Sequence, residues 1–238
     1  VWLNNPATNP LDYGIPVSLN NSQSCLSTLI YKYVYCRNGP PFRVYPGDMK
    51  VEKGSIKRLK RLPRLFRIQD VEKLTPHAGI FLSRAVREGL VHRINRGNYV
   101  NAFLFGFPRV EEVACFLKPP AYVSCEWAMH YHGTILQAPT VCTVVTLNTS
   151  VGKRRSVSYQ GITLEFSKIS DALFFGYAYQ NGFHVASAEK ALLDTLYYRR
   201  AVPVRDELER DTLDLPTLSR MGARYPGSVS RKVEELLQ

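Results

Sequence analysis

No apolar run in this 238-residue sequence approaches the ~18 residues that a membrane-spanning helix needs, and no membrane partner is expected. The first residues lack the basic start, apolar middle and small-residue cleavage site of a secretory signal. Cysteine is sparse: Cys25, Cys36, Cys115, Cys125 and Cys142 form an odd set with no CxxC pair. That pattern argues against a disulfide framework and against a zinc knuckle, and it leads us to expect reduced thiols in a cytoplasm. There is no G-x-S-x-G elbow for a hydrolase nucleophile, no paired-carboxylate metal motif and no internal repeat. No cofactor is expected, and the chain is not expected to be an enzyme.

What is present is positive charge. The 31 Lys and Arg outnumber the 20 Asp and Glu, for a formal net charge of +11. The hydrophobic fraction of 45% is that of an ordinary globular chain. Such an excess favours an anionic partner, nucleic acid before an anionic membrane surface. The length leaves room for one large or two small domains with ample core.

Thr75 to Asn101 (TPHAGIFLSRAVREGLVHRINRGNYVN) reads as one helix followed by a tight hairpin. Thr75 is a good N-cap, Pro76 suits the first helical position, and Gly89 supplies the stop. At roughly 100° per residue, Ala78, Gly79, Phe81, Leu82, Ala85 and Val86 share one arc. His77, Ile80, Ser83, Arg84, Arg87 and Glu88 share the other. Residues 90–94 and 98–100 flank Asn95-Arg96-Gly97, whose Asn and Gly tolerate the positive φ of a short loop. The pattern is that of a winged helix-turn-helix, with the helix in the major groove and the hairpin on the backbone or in the minor groove. The competing reading is a helix and hairpin inside an unrelated α+β domain, which leaves the basic outer arc unexplained.

Upstream, Ser55 to Arg67 (SIKRLKRLPRLFR) holds Lys57, Arg58, Lys60, Arg61, Arg64 and Arg67 with no acid. Ile56, Leu59 and Leu62 recur every three residues, predicting a first helix that Pro63 interrupts. Phe66 to Leu74 predicts a second, so the helix-turn-helix would be 67–74, a turn at Thr75, and 76–88. A charge run is often only a solvated face; beside a reading helix it is a candidate for phosphate contact. Arg84 and Arg87 are candidate base readers, because Arg on guanine O6/N7 is the commonest specific contact. Ile80 either meets a thymine methyl or packs on the first helix. His77 lies near a helix start, where anions are favoured, and Arg96 at the hairpin tip is a phosphate or minor-groove candidate. Arg93 is a further candidate unless it pairs with a carboxylate of the fold. The expected DNA-contact set is therefore Lys57, Arg58, Lys60, Arg61, Thr75, His77, Ile80, Ser83, Arg84, Arg87, Arg93 and Arg96.

Residues 1–48 differ in composition, with six Asn, six Pro and five charges, Asp12, Lys32, Arg37, Arg43 and Asp48. Met49 opens a stretch that looks like an ordinary start, so 1–48 is expected to be an upstream extension and mostly disordered, against the alternative of an accessory arm. Beyond Asn101 the spacing predicts a helix over 109–117, a strand at 121–123, and a helix capped by Ser124 through Tyr131. A buried strand is expected at 141–147. Hairpins are expected around Gln160-Gly161 and Asn181-Gly182, then a helix over 188–199 capped by Ser187, and two short helices near 215–225 and 229–237. The expected organisation is a 49–101 winged helix and a 105–238 domain of mixed strands and helices, α+β throughout.

Cys125, His130 and His132 invite a metal reading, but the spacing is wrong for common sites and no fourth ligand is evident, so no metal is expected. Ser124, His132 and Asp194 suggest a hydrolase triad without its elbow.

The order of segments over roughly 65–200 resembles the AbiEi-type antitoxins, regulators of type IV (abortive-infection) toxin–antitoxin pairs. The resemblance rests on REGLVHRINRGNYV (87–100), AYVSCEWAMHYHGTILQAPTVCTVVT (121–146) and ASAEKALLDTLYYRR (186–200), in that order. Ala188 stands where the family usually has Pro, and Cys125 and Trp127 stand in a helix that usually carries Leu or small residues. Residues 1–48 match nothing in it. The resemblance implies an autoregulator whose winged helix binds double-stranded DNA, repeats in its own promoter expected to be inverted. It also implies a C-terminal domain that antagonises a nucleotidyltransferase-like toxin without an obligatory tight complex. For Glu189, Lys190 and Asp194 two readings stand, a structural i,i+4 pair orienting their helix or a toxin-antagonising surface. A plain transcriptional regulator without a toxin, and a basic nucleic-acid-processing enzyme, are the alternatives.

Overall fold

The computed structural model describes residues 53–149, 152, 155–199 and 208–237, all within the compact unit Phe42–Gln238. The expectation for 1–48 lies outside the described residues. The apolar edge predicted from Leu59 and Leu62 is buried, at the end of helix α1 (Lys53–Leu59) and in the turn before Pro63. Leu65–Arg67 then forms strand β1, where a helix was expected from Phe66. Tertiary pairing overrides local propensity here: β1 pairs with Asn98–Val100, and Phe66 stacks on Tyr99 with ring centroids 5.6 Å apart. Helix α2 (Ile68–Glu72) follows, its Asp70 carboxylate accepting the Arg67 N–H at 2.9 Å.

Helix α3 spans Ala78–Arg87 and buries Ala78, Phe81, Leu82 and Ala85. It starts later than expected. Thr75 is not the cap; its Oγ1 accepts the His77 N–H at 3.4 Å in a turn, and His77 takes the cap position. Gly89, at φ +69°, ends the segment in the left-handed conformation that glycine adopts without cost. Strands β2 (His92–Asn95) and β3 (Asn98–Val100) close a three-stranded antiparallel sheet of order β1-β3-β2. Asn95 pairs with Asn98, so the hairpin turn is the two residues Arg96-Gly97 and shorter than expected.

After a short helix α4 (Ala102–Phe105), the rest is a mixed six-stranded sheet with helices packed on it. Its elements are α5 (Val110–Leu117), β4 (Ala121–Ser124), α6 (Cys125–Tyr131), β5 (Val141–Thr146), β6 (Ser156–Tyr159) and β7 (Ile162–Lys168). A 3-10 turn (Asp171–Leu173) leads to β8 (Tyr177–Gln180), β9 (Phe183–Ala186) and α7 (Ala188–Arg199); α8 (Leu215–Gly222) and α9 (Gly227–Leu237) end the described chain. The strand order is β6-β7-β5-β4-β9-β8, with β5–β7 and β4–β9 parallel and the other neighbours antiparallel. Both expected hairpins are present, and positive φ at Gln160, Gly161, Asn181 and Gly182 matches their two-residue turns.

Two separate hydrophobic cores result. One is built from Leu59 to Tyr99, the other from Val100 to Val233, with α7 buried on nearly all sides from Ala188 to Leu196. Polar contacts bridge them. Asn101 Nδ2 donates to the Leu59 carbonyl at 2.9 Å, and Arg64 reaches Glu112 at 3.4 Å and the Phe107 carbonyl. The Arg67 guanidinium lies 5.3 Å from the centre of the Phe116 ring, and His92 meets Phe107 and Tyr159 edge-on. The fold is α+β. Among the described residues no helix is long and apolar enough to cross a membrane.

Candidate nucleic-acid interface

Charge is distributed unevenly between the two cores. Residues 53–101 carry twelve Lys and Arg against three Asp and Glu, whereas 102–238 carry fifteen against fourteen. Nearly the whole excess therefore sits in the small helical and three-stranded part.

The outer arc of α3 is the best-defined element of that part. Burying Ala78, Phe81, Leu82 and Ala85 turns Ile80, Ser83, Arg84 and Arg87 to solvent, and His77 before them is exposed too. Ile80 is 57% exposed; from α1, the Arg58 guanidinium sits 5.8 Å from the Phe81 ring centre. Two residues placed on the inner arc, Gly79 and Val86, are exposed as well, because the buried stripe is only four residues wide.

Lys57, Lys60, Arg61, Arg84, Arg87 and Arg96 are exposed and make no ion pair with any described residue. Arg93 pairs with no carboxylate among the described residues; its Nε donates to the Asn95 carbonyl at 3.3 Å. Gly97 holds the hairpin tip close to α2, its carbonyl accepting the Ile68 N–H at 2.9 Å, and leaves Arg96 outside. Arg64 and Arg67, in the same basic run, are instead engaged with the second core. The sequence carried no sign of that division, since all six cations look alike in it.

The second part carries nearly balanced charge. Lys190 and Asp194 are fully buried and present nothing to a partner, which corrects the surface reading; Glu189 is also buried, accepting the Asp214 N–H at 3.0 Å. Asp194 gathers the hydroxyls of Tyr122, Ser124 and Tyr225 together with the Lys190 ammonium. Burial pushes the lysine pKa down and the two tyrosines up. Tyr122 and Tyr225 escaped the sequence reading; only the two-residue spacing of Tyr122 and Ser124 hinted that they share a face. Ser124 holds the N-cap position of α6 as expected, but its Oγ donates to Asp194 at 2.7 Å and makes no bond to the helix backbone.

The triad is not assembled either, since His132 Nε2 is engaged 2.7 Å from the Ala186 carbonyl. Cys125 is buried with its thiol pKa raised, while His130 is exposed. Among the described residues no three His, Cys, Asp or Glu side chains converge on a point that would hold a metal.

No protein-family model matches the chain, and no curated protein matches it. Among solved structures, the chain is similar to the crystal structure of the RV2827C protein from Mycobacterium tuberculosis. The TM-score is 0.52 at 12% sequence identity, covering 77% of this chain and 74% of that one. At that identity the likeness concerns the fold alone.

Proposed function

We propose that this protein is a sequence-specific DNA-binding regulator in which 53–101 is a winged helix, α3 the reading helix and β2–β3 the wing. One observation carries the reading: an exposed arc of α3 with Ile80, Ser83, Arg84 and Arg87, its arginines unpaired among the described residues, within a segment that holds nearly all the net charge. Arg84 and Arg87 read bases, while Lys57, Lys60, Arg61 and Arg96 contact phosphate. The element order and the β1-β3-β2 sheet are those such a module requires.

On the resemblance to AbiEi-type antitoxins, we extend the proposal. The protein represses its own operon from inverted repeats, acts in the cytoplasm, has no enzymatic activity, and antagonises a nucleotidyltransferase-like toxin through 105–238. The near-neutral charge of that part supports a division of labour between DNA and toxin.

The test is a salt-titrated binding assay on the DNA just upstream of the gene, with Arg84→Ala and Arg87→Ala beside the parent. Specific binding weakened by roughly 1–3 kcal/mol in either variant is expected. Binding that is equal on all DNA, and unchanged by both substitutions, would reduce the charge to a generic anion patch. Relief of toxicity on co-expression with the product of the neighbouring gene tests the antitoxin half.

A further inference from the structure

In the first turn of α3, Gly79 and Ile80 are two residues that packing within the chain does not account for. Gly79 lies inside the helix, where glycine is the least favourable residue after proline. Neither of its ordinary reasons applies. Its backbone is outside the left-handed region, and a Cβ there would meet nothing within 4 Å among the described residues. Ile80 presents a β-branched apolar side chain, 57% exposed, where a straight-chain polar residue would suit the helix better. At roughly 100° per residue, it falls at the middle of the exposed arc, flanked by Ser83 on one side and Arg84 on the other. It is the one apolar member of the arc His77, Ile80, Ser83, Arg84 and Arg87.

We propose that this turn is seated against the floor of the major groove, where Ile80 packs on the C5-methyl group of a thymine and Gly79 lets the helix come close. Resting on the DNA-binding reading, this contact adds the base that the cations leave unspecified. The thymine methyl is the one apolar group on the major-groove edges of the base pairs, so an apolar side chain among base-reading arginines selects it. Reading helices present their N-terminal residues to base edges, and Gly79 and Ile80 lie there. Glycine serves where a backbone must approach a ligand closely. The arginines around Ile80 supply the charge complementarity that holds the arc on DNA.

The arrangement also sets the layout of the recognised sequence. Along the helix axis Ile80 precedes Arg84 by about 6 Å and Arg87 by about 10.5 Å. These are about two and three base-pair steps of ~3.4 Å. With the arginines on guanine, the site carries a thymine within about three base pairs of each guanine. Neither an unbroken A·T tract nor an unbroken G·C tract satisfies all three side chains.

The experiment uses the full chain and duplex DNA from just upstream of the gene, in which each thymine in turn is replaced by deoxyuridine. That change removes only the methyl group. Parent, Ile80→Ala and Gly79→Leu are titrated against each duplex, with Arg84→Ala as the reference for base reading. In the parent, deoxyuridine at a single thymine of each bound site is expected to weaken binding about fourfold, the effect of one methyl group leaving an apolar contact. Ile80→Ala should bind the thymine and deoxyuridine duplexes equally. Gly79→Leu should lose specific binding by at least about tenfold. Its melting temperature should equal or exceed the parent's, because the position is exposed and leucine is the better helix former. A parent insensitive to every deoxyuridine overturns the proposal, as does an Ile80→Ala that responds as the parent does, or a Gly79→Leu that binds like the parent. In each of those cases a loss in Arg84→Ala leaves the DNA-binding reading standing. Binding that is equal on all DNA and unaffected by Arg84→Ala removes that reading and this contact with it.

Discussion

Lys190 Nζ lies 2.6 Å from Asp194 Oδ1, one turn away on α7, and neither side chain has any solvent exposure. The charges are not alone. Ser124 and Tyr122 donate to the other carboxylate oxygen at 2.7 and 3.1 Å, Tyr225 donates to Oδ1 at 2.6 Å, and Lys190 also donates to the Tyr225 hydroxyl. The ammonium lies near the rings of Phe175 and Tyr122 as well. A buried ion pair repays its desolvation only when the remaining lone pairs and protons are satisfied, as these are. The network ties β4 to α7 and to the turn between α8 and α9.

Removing one member should therefore cost far more than a surface pair would. Lys190→Met leaves a buried carboxylate, and Asp194→Leu leaves a buried ammonium and three hydroxyls that have lost their acceptor. Each single change is expected to destabilise by about 3–5 kcal/mol. The double substitution should cost less than the sum. Urea unfolding of the four proteins measures this, and single-variant losses of a few tenths would show that the pair does not hold the domain.

Gly176 makes room for that lysine. A Cβ there would lie 3.2 Å from Lys190 Cβ and Cγ, at a φ of +72°. Gly176→Ala combines an unfavourable left-handed backbone, about 1–2 kcal/mol, with pressure on a side chain that has no alternative position. A clear drop in melting temperature is expected. Gly161→Ala is the control, because it shares the positive φ but has open space around it.

His92, packed between Phe107 and Tyr159, gives the joint between the two cores a pH dependence. Burial holds its folded-state pKa below the ordinary 6.5. Between those two values the unfolded chain binds more protons, so stability from this residue falls as pH drops through 6.5 and levels off below the folded-state pKa. The pH dependence of unfolding in that window should flatten in His92→Phe. An unchanged profile would place the titration elsewhere.

If the basic run contacts phosphate as proposed, Lys60→Ala and Arg61→Ala should each lower the salt slope of DNA binding by about one and weaken all sequences alike. Truncating Arg64 should act differently. It is tied to Glu112 and to the Phe107 carbonyl, so its loss should appear in stability before it appears in the salt slope. Parallel thermal melts and salt titrations separate the two.

Much of the architecture was legible because its signals are local. The Asn181-Gly182 and Gln160-Gly161 turns, the Ser187 cap and the β-branched 141–146 strand follow from backbone preferences of a few residues, and each element appears close to its expected span. β1 did not follow from such preferences. Leu65–Arg67 is a strand because β3 offers an open side and Tyr99 offers Phe66 a ring, and neither partner lies nearby in sequence. The same holds for Thr75, whose side chain closes a turn where a helix start was expected.

By itself, then, the sequence determined which segments other than β1 and α4 are helical or extended, that the fold is α+β, where positive charge gathers, and which arc of α3 holds Arg84 and Arg87. Those properties depend on periodicity, turn chemistry and charge, all carried by neighbouring residues. Only the tertiary structure decided that Arg64 and Arg67 serve the joint while Lys60 and Arg61 face solvent. It also decided that Lys190 and Asp194 belong to the interior and that β8 is left as an open edge. Burial and strand order are properties of the packed chain, set by contacts between residues tens of positions apart.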